Sequence, residues 1–219
     1  MTRPPTHTPR ARLIGGGIAA CALLVSVPAA ALQWNFKVML DQRLIGHHRF
    51  EQEDVGALRR VVSRAQFSVE WLRIPVFRYR HEDDETWRDG CLDRLDANTH
   101  TNGHLEKVTG RREADGFTVQ GAQGQMRHRG CVMSFAYWDK RILTQPALLN
   151  AQTGAYTPIQ VESQGNESLT VAGHVESAER YLLKAGDLRI QLWYSPDGRW
   201  LQLAAPTRDG RQMLYQLEP

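Results

Sequence analysis

The chain has 219 residues, with 27 lysines and arginines against 24 aspartates and glutamates, for a formal net charge of +3. Arg3, Arg10 and Arg12 carry that excess, so residues 32–219 are balanced. A balanced chain has no bulk field for capturing nucleic acid or an anionic membrane surface, which excludes both as expected partners. No internal repeat or low-complexity tract divides it, and its length suits one domain with a real core.

The first 31 residues read as a secretory signal peptide. Three arginines precede the apolar run Leu13–Val27, and Ala29, Ala30 and Ala31 offer small residues for cleavage after Ala31. The run is shorter than the roughly 20 residues of a membrane-spanning helix, so no transmembrane anchor is expected in the mature chain. Within it, Ile18-Ala19-Ala20-Cys21 also matches a lipoprotein cleavage box, which would leave a lipid anchor on Cys21. The apolar continuation Ala22–Val27 argues for the free form instead. The expected location is therefore periplasmic or secreted.

Of three cysteines, Cys21 leaves with the leader. Cys91 and Cys131 remain, and an even pair in an oxidising compartment is most simply a disulfide. Closing a loop of that length is worth roughly 3–4 kcal/mol in the chain-entropy picture. There is no CxxC spacing to suggest a redox or metal pair instead.

From residue 32 onward the hydrophobic period is two. Trp34, Phe36, Val38 and Leu40 alternate with polar neighbours, and LIGHHRF returns as a second strand with Gly46 as a bulge or close approach. Arg60–Ile74 alternates over a longer span up to Pro75, and Val76–His81 resumes with Phe77 and Tyr79. The acidic run Glu82–Glu85, flanked by Arg78, Arg80 and Arg88, reads as a solvated turn, with a further strand from Glu85 to Ala97. Asn102-Gly103 and Asp115-Gly116 turn the strands that follow, and Gly121–Gly130 reads as a polar loop. Thr144 is placed to cap a short helix through ALLNAQ that stops before Gly154. Strands then return to the end of the chain, with tight reversals at SPDGR and TRDGR. The expected fold is mainly β: a single domain over residues 32–219, a curled antiparallel sheet or barrel-like, with one short helix.

The blocks WNFKVMLDQRLIGHHRF, YRHEDDETWRDGCL, DANTHTNG, FAYWDKRILTQPALLNAQTG and LWYSPDGRWLQL together resemble a family of exported bacterial proteins of unknown function. The resemblance spans nearly all of the chain after the leader. It implies an envelope location and a mainly β fold, and brings no catalytic residues. A more distant similarity to half-barrel envelope proteins, some of which handle lipids, is analogy.

Several residues invite chemistry. His81, Asp83 and Glu85 would share one face of a strand while Glu82 and Asp84 face the other way, and such a set offers nitrogen and oxygen donors to a divalent cation. No HExxH, GxSxG or phosphate-cradling glycine loop is present, so no catalytic residue and no cofactor is assigned. Adjacent His47 and His48 face opposite sides, one at the surface and one half-buried. His100 and His104 flank a turn where they could meet. The aromatics are the stronger signal. Trp71, Phe77, Tyr79 and Trp87, brought beside Phe135, Tyr137 and Trp138 by a Cys91–Cys131 bond, would wall an apolar pocket or form an ordinary core. Three functions are compatible: a non-catalytic exported protein holding an apolar or lipid-like small molecule, a module docking on another envelope protein, and a metal-dependent hydrolase using His81 and Glu85.

Overall fold

A computed structural model describes residues 1–2, 31–71 and 74–219, with side chains left out at 71, 74 and 75. Residues 3–30, which hold most of the expected signal peptide and Cys21, lie outside the described residues. Eight strands follow one another as a meander: β1 Leu32–Leu40, β2 Arg43–Val55, β3 Leu58–Trp71, β4 Ile74–Arg88, β5 Cys91–Thr101, β6 His104–Glu113, β7 Gly116–Gly121 and β8 Gly124–Arg129. A linker, 130–155, carries a 3-10 turn at Lys140–Thr144 and the short β9, Ala147–Leu149. The second meander is β10 Tyr156–Val171, β11 His174–Ala185, β12 Leu188–Tyr194, β13 Trp200–Pro206 and β14 Gln212–Leu217. Because β14 pairs antiparallel with β1, the two meanders join into one 14-stranded sheet that runs from β8 through β1 and β14 to β9.

Local chemistry sets the reversals. Asp89-Gly90 and Asn102-Gly103 both place two consecutive residues at positive φ, the condition of the two-residue turns whose twist matches a hairpin. Gly46 marks a close approach, since a β-carbon there would stand 1.9 Å from the Gln66 carbonyl oxygen. It sits at a register shift between Val38 and Met39 on β1.

Among the described residues the sheet does not close through hydrogen bonds, and the linker is tied to strands of both meanders. Cys131 is bonded to Cys91 at the start of β5, and Leu92 N–H donates to the Val132 carbonyl at 2.8 Å. Farther on, Ser134 bridges Leu149 in parallel and covers the β9 edge, while the Tyr194 hydroxyl donates to the Tyr137 carbonyl at 2.8 Å. Near the other edge, His128 of β8 lies 4.4 Å from the Tyr156 ring. Val132, Met133, Ala136, Trp138, Ile142, Leu148 and Leu149 of the linker are buried among inward residues of both meanders, such as Phe36, Leu95, Leu183 and Trp200. Burial of this kind is the main favourable term in holding such a shell together. A smaller cluster on the opposite face packs Val171 and Ala178 against Trp193, Leu201 and Ala204.

Three expectations from the sequence are corrected. Asp139, not Thr144, caps the only helical turn among the described residues, accepting from Arg141 N–H at 3.0 Å, and the Ala147–Leu149 segment is strand. Its three side chains are buried and it pairs with Tyr156–Pro158, so tertiary packing outweighs the helix propensity of ALLNAQ. The run 121–130 is largely β8 rather than loop, with Met126 and His128 turned inward at half burial. The acidic run Glu82–Glu85 is no turn: it lies within β4, paired on both sides.

Candidate functional site

The interior holds a cavity of about 300 Å³ between the linker and the sheet. One wall is apolar, formed by Ile190, Leu203, Ala205 and Met213 of the second meander. The other is a stripe of polar side chains on the inner faces of β2, β3 and β4, and the linker adds Ser134 to Trp138 and Asn150 to Gln152 to the lining.

The stripe follows from alternation. Tyr79, His81, Asp83, Glu85 and Trp87 occupy successive inward positions of β4, in phase with Phe77. Beside them on the same face, His48 of β2 is hydrogen-bonded to the Ser63 hydroxyl of β3 at 2.8 Å and stacks on Phe50 with ring centroids 4.1 Å apart. His81 Nδ1 is 2.9 Å from the Thr99 hydroxyl, and the Trp87 indole donates to Glu85 Oε2 at 3.0 Å. These contacts satisfy only part of the stripe. His48 Nδ1, Asp83 Oδ1 and Glu85 Oε1 are buried without a partner among the described residues. Asp83 and Glu85 are 7 % and 3 % exposed.

Burial governs how these groups titrate. It holds His48 down to about 3, helped by the charge of His81, and holds His81 down to about 4, so both imidazoles are neutral near pH 7. Burial, followed by repulsion from Glu85, Asp84 and Asp96, pushes the Asp83 carboxyl well above its ordinary value. Glu85 is pushed up to about 7 by burial, against the pull of the nearby Ser134 hydroxyl and the Trp87 indole. Burial also raises Tyr79, Tyr137 and Tyr215, which stay neutral phenols.

The aromatics named from the sequence divide. Tyr79, Phe135, Tyr137 and Trp138 line the cavity. Phe77 stacks on Tyr79 at 6.5 Å without reaching the cavity wall. Trp87 is buried and meets Trp138 edge-on at 5.2 Å, which makes it core support for the cavity rather than lining. Trp71 ends β3, and its side chain lies outside those described. His48, Ser63, Ser134, Tyr215 and the Asp83–Glu85 pair complete a site that an aromatic-only reading misses. The phase of β4 is the available signal, since an acidic run in step with Tyr79 and Trp87 has two members on the apolar face.

His47, His100 and His104 lie away from the cavity. His47 points out beside Glu218 at 3.5 Å. His100 and His104 are exposed and pair in register with Leu105 and Thr101, not with each other. Among the described residues, no three or more His, Cys, Asp or Glu side chains are grouped so as to hold a metal ion, and no helix is long and apolar enough to cross a membrane.

Comparison with solved structures places the fold. A β-barrel-like protein of the domain of unknown function DUF1849 from Brucella abortus is similar over 88% of this chain and 97% of its own, with a TM-score of 0.64 and 12% identity. At that identity the likeness shows the fold alone. No curated protein matches the chain. The sequence pattern of the domain of unknown function DUF6134 does match, over residues 36–218, from within β1 to just past β14, and the chain belongs to that family.

Proposed function

We propose that this protein is an exported, non-catalytic binder of a small amphipathic molecule held in the cavity between the linker and the sheet. The carrying observation is the cavity itself: about 300 Å³, with an apolar wall facing a stripe of incompletely satisfied polar groups. Ligand pockets have this composition, mostly apolar with a few convergent polar groups that fix orientation. Polar groups gathered on one side of an otherwise apolar cavity can orient a bound molecule by hydrogen bonds. The leader supports export, and the Cys91–Cys131 bond suits an oxidising compartment.

Two measurements test this reading. Native mass spectrometry of the purified protein is expected to show a bound mass that is lost on denaturation, and N-phenylnaphthylamine should bind saturably with a fluorescence rise. Ala205→Trp, which puts an indole into the cavity, should abolish both. Absence of saturable binding, or binding indifferent to Ala205→Trp, contradicts the reading. For export, the N-terminus of the protein recovered from the periplasm should follow Ala31, and an intact leader on a cytoplasmic protein contradicts it.

A further inference from the structure

The inference deepens the cavity reading and rests on it. We propose that the molecule the cavity takes is an alkylammonium, whose charged nitrogen sits between Asp83 Oδ1 and Glu85 Oε1 and whose apolar part lies against Leu203, Ala205 and Met213. Both carboxyls are more than nine-tenths buried and line the cavity, and each has one oxygen without a partner. An ionised carboxyl is costly here unless a cation or a full set of donors meets it, and without one the pair holds its protons. The chain has 27 lysines and arginines, yet among the described residues none lines the cavity.

The other groups facing the pair supply no countercharge. His48 and His81 are the only basic side chains in the described lining, and burial keeps both neutral. Ser63, Ser134, Tyr79, Tyr137 and Tyr215 bring neutral hydroxyl groups, and Asn150 and Gln152 bring neutral amides. No lysine or arginine of the described lining competes for the pair, so a cationic molecule entering the cavity would supply the charge that lets both carboxyls ionise. An ammonium has several N–H donors on one atom and can bridge two carboxyls two residues apart on one strand face, about 7 Å between α-carbons. Once it is bound, both carboxyls gain a reason to ionise, and the hydrogen bonds become charge-assisted. An alcohol can satisfy one of the two oxygens and brings no charge. A carboxylate is repelled.

Calorimetric titration of the purified protein with octylamine, octanol and octanoate at slightly alkaline pH tests the proposal. Octylamine is expected to bind at least about tenfold more tightly than octanol, a difference of about 1.4 kcal/mol, and octanoate should not bind. Asp83→Asn with Glu85→Gln should keep octanol binding and lose the preference for the amine. If the double variant fails to fold, Glu85→Gln alone should reduce the preference. Octanol binding as tightly as octylamine, or a preference that survives both carboxamide replacements, overturns the proposal. If N-phenylnaphthylamine binds and octylamine does not, this inference falls while the cavity reading stands. If neither binds, the cavity reading falls and takes this one with it.

Discussion

The two faces of β4 show the same residue type under opposite physical regimes. Glu82 and Asp84 point outward, where Arg64 meets Glu82 at 3.1 Å and Arg60 meets Asp84 at 2.6 Å, and Asp84 is held below its ordinary value first by the Arg60 hydrogen bond. Asp83 and Glu85, each one residue away, point inward, and both are raised, first by burial. A four-residue run is thus split by strand alternation into a solvated ladder and a buried pair that no lysine or arginine meets among the described residues. The outer half is ordinary surface, whereas the inner half lines the cavity.

The comparison can be broken at several points. The largest effect is expected from Trp87→Ala, which removes the donor to Glu85 and the edge contact with Trp138. It should lower the unfolding free energy by about 3–5 kcal/mol in urea titration. Reducing the Cys91–Cys131 bond should cost roughly 3–4 kcal/mol by the same measurement, and it should loosen the linker that roofs the cavity.

The pH dependence sharpens the contrast further. Glu85 holds its proton to about 7 when folded against 4.5 ordinarily, so its contribution to stability is full below 4.5 and is lost as pH rises through about 7. Asp83 acts with the same sign. His48 and His81 act oppositely: their contribution is full above 6.5 and is lost as pH falls toward about 3 and 4. The interior slopes therefore oppose each other between 4.5 and 6.5. Asp83→Asn with Glu85→Gln should raise stability above pH 7 by a few kcal/mol and leave it little changed at pH 4, as followed by thermal melts. The smallest effect belongs to the outer face, where Asp84→Asn should cost roughly 0.2–1 kcal/mol and less in high salt.

Much of this fold is legible in the sequence, because period-two hydrophobicity and paired turn residues each specify β structure independently, and a lone cysteine pair indicates which segments are joined. Alternation alone also assigns His81, Asp83 and Glu85 to one face of a strand. Density of charge misleads, however: four acids in succession look like a turn, and only the in-phase aromatics Tyr79 and Trp87 show that the strand continues through them. The linker is harder still. Whether ALLNAQ becomes helix or strand depends on Tyr156–Pro158 waiting beside it, a pairing that no local pattern reveals. The cavity rests on such long-range placement, since Leu203, Met213 and Tyr215 carry no mark distinguishing lining from core.

The most direct test is a carbon-13 NMR titration of the Asp83 and Glu85 side-chain carboxyls in the protein without added ligand. Glu85 should titrate at about 7 and Asp83 well above the usual aspartate range, both reverting toward ordinary values when octylamine is added. Two carboxyls that titrate with ordinary surface values from the start would contradict an inner face of buried, uncompensated acids.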